Sequence, residues 1–226
     1  MPAPGRTQAL TVAEVGDVVM ALLEDADMGD ALDARTGLLV SYAVHAAPTT
    51  LDVDGARLHL RRALDGGVTP EQIQELLVLI SGMGMHALIG NSTVLAEEMR
   101  ARGVTTLDDP LPDELRGIAE DLLGEGGREA RVAAVAPEFW PGLLHLSPVA
   151  TVQAVAAFRE APWASSSLSM LQRELIGIAV DAMPSHRFLP TLRMHVLRAR
   201  TLGAGRLAVQ QVLEIAACAP EHPGVR

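Results

Sequence analysis

Slid along itself by 136 positions, the sequence falls into register without a gap. Leu39 meets Leu175, Ala43 meets Ala179, Val44 meets Val180 and Pro48 meets Pro184. Arg57, His59, Arg62, Ala63 and Gly67 then fall on Arg193, His195, Arg198, Ala199 and Gly203, and His86 falls on His222. Chance does not put a proline pair, a glycine pair and several Arg and His pairs in one register, so the chain reads as an internal duplication. The expected division is a first repeat in residues 1–110 and a second, C-terminally shortened one in residues 111–226. Whatever unit folds here has to fold twice.

That unit is helical. Val12, Val15, Val18, Val19, Leu22 and Leu23 form an apolar stripe, and a second helix is expected over 33–46, stopping ahead of Pro48. The next helix starts near Leu51 and ends at Gly66-Gly67, where a left-handed stop fits. In "VTPEQIQELLVLIS", Thr69 is an N-cap, Pro70 takes the first helical position and Gln72 completes a capping box. Ile73, Leu76, Leu77 and Ile80 then share one face. "SGMGMHALIG" reads as a turn or short helix, followed by a helix capped by Asn91 or Ser92. Residues 103–113 read as a linker, with a modest helix from Leu115 to Gly124.

Ser147-Pro148 opens the second set. "SMLQRELIGIAVDAM" is apolar nearly all round and is expected at the centre. "RFLPTLRMHVLRARTLG" and "RLAVQQVLEIAA" complete the all-α pattern. Composition agrees, with few aromatics (3%) and no concentrated β-branched alternation.

A net charge of −10 argues against nucleic acid as a partner, since phosphate binding needs clustered Lys and Arg. The single cysteine, Cys218, allows no internal disulfide and no Cys-x-x-Cys pair. "MPAPGRTQAL" has no apolar h-region and no uninterrupted apolar stretch approaches about 18 residues, so a cytoplasmic protein without a membrane span is expected.

The string "RLHLRRALDGGVTPEQIQELLVL" resembles the core motif of the carboxymuconolactone decarboxylase family, which shares its all-helical fold with alkylhydroperoxidase D. "QRELIGIAVDA…RMHVLRARTLGAG" resembles the same motif independently. The resemblance implies two tandem helical repeats packed with pseudo-twofold symmetry. Single-repeat relatives assemble into oligomers that bury the His helix, so one such interface is expected inside this chain, with homo-oligomerisation beyond it.

The peroxidase branch of that family places its two cysteines four and seven residues before the histidine, on the face the histidine shares. Here those positions are Gly55 and Asp52 ahead of His59, and Thr191 and Phe188 ahead of His195. Dithiol peroxidase chemistry is therefore excluded, and the decarboxylase branch fits better.

That branch implies a small-molecule enzyme performing cofactor-free acid/base chemistry on a carboxylated or lactone-type substrate. Decarboxylation, isomerisation and ring opening all fit. Glu174 matches the family glutamate; its counterpart is Leu38, so the first repeat lacks that carboxylate. The second repeat lacks the cap instead, Gly205 standing where Thr69 stands.

Glu174 in an apolar helix has to be paired, protonated or functional, and a salt bridge with Arg173 or with another helix competes with a catalytic role. Glu174, His195 and His59 are the candidate catalytic groups, with imidazole titrating near working pH. Arg57 and Arg193 make ion pairs or hold a turn, with a contact to a substrate carboxylate as the competing role. His45, His86 and His186 are candidate substrate contacts, with surface or capping roles as the competing reading. The seven histidines show no ligand spacing, so neither a metal nor a cofactor is expected. A non-catalytic ligand-binding or scaffold protein on the same fold is the rival, since each repeat is incomplete in its own way.

Overall fold

A computed structural model describes residues 10–103, 145–158 and 166–223, with isolated positions 109, 113 and 117. The expected helix from Leu115 to Gly124 and most of the 103–113 linker lie outside the described residues. Among those described, all regular structure is helical: α1 (Val12–Leu22), α2 (Ala34–Ala46), α3 (Val53–Asp65), α4 (Pro70–Ser81), α5 (Gly84–Ala101), α6 (Pro148–Phe158), α7 (Met170–Ala182), α8 (Leu189–Thr201) and α9 (Arg206–Ala217). The bounds of α1–α4 recur in α6–α9, each 136 residues later.

The caps show why the boundaries recur. The Thr11 side chain accepts from Glu14 N–H and Ser147 Oγ from Ala150 N–H; Asp33 and Ser169 do the same for α2 and α7. Thr69 and Gln72 exchange the expected reciprocal bonds ahead of α4. Gly67 and Gly203 close α3 and α8 with φ of +82° and +94°, the left-handed conformation only glycine adopts freely.

The missing cap of α9 is replaced by backbone. Arg206 and Leu207 donate their N–H groups to the carbonyls of Asp27 and Met28 at 3.0 Å each. A Cβ on Gly205 would meet Met28 O and Gly29 Cα, so the glycine admits this strand of chain where Thr69 faces solvent. One expectation fails: the chain from Gly84 to Ala101 is a single helix, with no break for a cap at Asn91. Asn91 Nδ2 instead donates to Ala87 O one turn back.

The chain forms two compact units, one joining residues up to Ile80 with those from Ser167 onward, the other within 81–166. In the first, α7 is the centre, with all nine residues from Glu174 to Ala182 buried. It packs against α2, α8 and α9, while α2 packs against α3 and α9. Residues 136 apart touch each other: Gln172 Nε2 donates to Thr36 Oγ1 at 3.2 Å and Ser185 Oγ to Thr49 Oγ1 at 3.1 Å. Contact between counterparts is what a twofold relation between the α2 and α7 segments produces. The repeat boundary expected near 110 is thus not the boundary of a compact unit, because one unit holds the helical cores of both halves.

By length and composition alone, Pro70–Ala101 is apolar enough to cross a membrane, a finding the search for uninterrupted apolar runs missed. Core helices of water-soluble proteins pass the same test, and Glu75 within this stretch makes polar contacts described below.

Candidate active site

After Pro48 and Pro184 the chain turns through Leu51 (φ +39°) and Arg187 (φ +49°), both left-handed without being glycine. The turn brings Asp52 N–H back onto His45 O and Phe188 N–H onto Asp181 O, at 3.0 Å each. The strain at these two residues sets the N-terminus of the His-bearing helix beside the end of the buried one. Both halves then hold their histidine against α2 or α7. What it meets there differs.

In the second half, His195 Nδ1 lies 2.7 Å from Glu174 Oε2, and Arg198 Nε donates to Glu174 Oε1 at 2.8 Å. Glu174, Gly177 and Asp181 fall at i, i+3 and i+7 of α7, one face of a helix. His195 lies flat on the middle one: a Cβ on Gly177 would sit 2.8 Å from three ring atoms. Its Nε2 is 3.9 Å from Asp181 Oδ2, an oxygen that accepts from Thr191 Oγ1 at 2.6 Å. Asp181 is fully buried, which pushes its carboxyl up to about 7 against the pull of His195 and the Thr191 hydroxyl. His186 Nε2 is 3.7 Å from the other Asp181 oxygen, and burial holds that imidazole below its usual value.

In the first half, Leu38 replaces Glu174, so the buried His59 Nδ1 has no hydrogen-bond partner among the described residues. Its ring stacks on His45, centroids 4.4 Å apart and planes at 20°. Burial, with the nearby charges of His45 and Arg62, holds the His59 imidazole below its ordinary value. His45 Nδ1 is 2.8 Å from Asp52 Oδ2, while Asp52 Oδ1 accepts the Gly55 N–H at the head of α3. The hydrogen bond from His45, then that from Gly55, keeps the Asp52 carboxyl below its usual range. A Cβ on Gly55 would collide with Asp52 Oδ2 and His45 Nδ1.

Two cavities open beside these groups. One of about 560 Å³ is lined by His45, His59, Gln211, Glu214 and Cys218 among others. The other, about 370 Å³, lies along α2 and α3 and includes Tyr42, His45, Asp52 and Arg57. Neither lining includes Glu174 or His195.

Residues 13–85 match the model of the carboxymuconolactone decarboxylase family. A crystal structure from Burkholderia xenovorans LB400, provisionally described as a gamma-carboxymuconolactone decarboxylase subunit, superposes with a TM-score of 0.67 at 25% identity, over 93% of this chain and 84% of that one. The chain is thus similar to the carboxymuconolactone decarboxylase family over residues 13–85, and to that solved structure along most of its length. No curated protein matches it significantly. The family model covers α1–α4 and so takes in His45, Asp52 and His59; the second half lies outside the match.

Among the residues singled out from the sequence, Glu174 and His195 are brought together, His45 and His59 are stacked, and His186 sits near the same carboxylate as His195. His86 is buried in α5, within the second compact unit. Arg57 and Arg193 are exposed and make no ion pair among the described residues. Of the two salt-bridge partners expected for Glu174, Arg173 or a group on another helix, it is the second that is present: Arg198 of α8 takes Glu174, while Arg173 bonds to Glu75 at 3.1 Å. Sequence reasoning missed Arg198 as a site residue although it stood in the repeat, and it read Asp52 only as the place of an absent thiol. Asp181, aligned with His45 and expected at a pocket wall or in a surface or capping role, is instead fully buried.

Proposed function

We propose that this protein is an enzyme of small-molecule metabolism performing cofactor-free proton transfer on a carboxylated or lactone-type substrate, with Glu174 and His195 as the acid/base pair. The reading rests on one observation, the 2.7 Å contact between His195 Nδ1 and a Glu174 carboxylate whose other oxygen is held by Arg198. A carboxylate that accepts Nδ1–H fixes the imidazole tautomer and leaves Nε2 as the proton-handling atom. The fold repeat is read as a duplication of one four-helix unit, and the chain as a homo-oligomer, in keeping with the neighbour described as a subunit.

The test is solvent deuterium exchange into candidate lactones and carboxylic acids. Glu174→Gln and His195→Ala, checked for folding by circular dichroism, are each expected to slow exchange about 10²-fold or more. Wild-type exchange in the double variant sinks the assignment. The cavities supply a specific reason for the rival reading, a ligand-binding protein, because both lie against the first-half histidines. Under that reading no exchange is seen with any substrate, while ligands still bind.

A further inference from the structure

The smaller cavity carries a chemistry of its own. Its lining is apolar on most sides, from Tyr42, Ala46, Leu51, Val53, Ala56 and Leu60. At about 370 Å³ it falls at the small end of ligand pockets, roughly 300–1,000 Å³. Three polar side chains break the apolar wall: Arg57, His45 and Asp52.

Arg57 is a cation on the rim with no acidic partner among the described residues, and its planar fork suits a carboxylate. Asp52 is committed twice over, to His45 Nδ1 and to Gly55 N–H, which fixes the His45 ring and leaves its Nε2 uncommitted among the described residues. Gly55 keeps this geometry open, since any side chain there displaces the Asp52–His45 contact.

We infer that this cavity is a binding site for a small monocarboxylic acid with an apolar body, its carboxylate on Arg57 and its body along α2 and α3 beside the Asp52–His45 dyad. One cation sets the charge it takes. A second carboxylate on the ligand would face Asp52 and be repelled, so monoacids bind better than diacids of the same shape. The site shares no residue with the Glu174–His195 pair and stands or falls separately from it.

Benzoate, benzamide and phthalate are the probes, titrated calorimetrically into the full chain and followed by imidazole nitrogen resonances. Benzoate is expected to bind and to shift His45 while sparing His195, with benzamide and phthalate each at least about tenfold weaker. Arg57→Gln, on an exposed side chain, should weaken benzoate about tenfold or more, as loss of a charged hydrogen-bond partner does, and Arg57→Lys should recover part of it. Asp52→Asn keeps a helix-capping residue and tests the dyad by moving the His45 nitrogen resonances without unfolding α3. The inference is overturned by benzoate that does not bind, by benzamide binding as tightly as benzoate, by Arg57→Gln binding like wild type, or by shifts that fall on His195 instead of His45. None of these results touches the exchange measured at Glu174 and His195.

Discussion

Asp181 has no solvent exposure, and burial raises its carboxyl to about 7. An unfolded aspartate loses its proton near 3.8. Between those values the folded chain holds a proton the unfolded chain has given up, so Asp181's contribution to stability falls as pH rises from about 4 to 7. His59 and His186 act in the opposite sense, their lowered values favouring the folded chain as pH rises through the ordinary imidazole range. The effect of Asp181 is isolated by subtraction. Asp181→Asn is expected to raise the melting temperature relative to wild type more at pH 8 than at pH 5; an equal difference at both pH values contradicts it.

Which residues pair was only partly legible, for a geometric reason. Adjacent residues on a helix point apart, so Arg173 cannot serve Glu174 and reaches Glu75 instead. The Glu174–His195 pair was readable because a carboxylate in an apolar helix has to find a partner. The Asp52–His45 pair was not, since it closes across a turn whose direction depends on the left-handed Leu51, and no periodicity announces that.

Helices were the more legible scale. The Thr69 capping box, the glycine stops and the buried α7 all follow from local chemistry that the sequence displays. The start of α9 does not, because its cap is supplied by chain some 180 residues away. The two starts predict opposite responses. Thr69→Ala removes a side-chain cap and should cost about 1 kcal/mol. Gly205→Ser restores a capping residue to the equivalent place, yet its Cβ meets Met28 O and Gly29 Cα, so it should destabilise by roughly 1–3 kcal/mol. Urea denaturation of both variants checks the pair; a stabilised Gly205→Ser would mean the 27–29 segment does not cap α9.

At the scale of the compact unit built from both halves, the halves are tied by contacts that cross between them. Helix α1 packs on α8 and α9, with Leu22 O accepting from Arg200 at 3.3 Å and Leu10 O from Arg187 at 2.7 Å. From the other side, Glu75 of α4 accepts from Ser167 N–H and Oγ–H at 2.8 and 2.9 Å, from Leu168 N–H at 3.2 Å and from Arg173 at 3.1 Å. One carboxylate of the first half thus orders the approach to α7 of the second. Two halves joined this way should unfold as one, because neither retains its packing when the other is lost. Glu75→Ala leaves Arg173 without its carboxylate and Leu168 N–H without its acceptor, and should cost on the order of 2–4 kcal/mol. The urea midpoint is expected to fall while the transition for this unit stays single and its slope unchanged. A variant that instead splits the transition into two, one for each half, would show the halves to be separately stable and the crossing contacts to be dispensable.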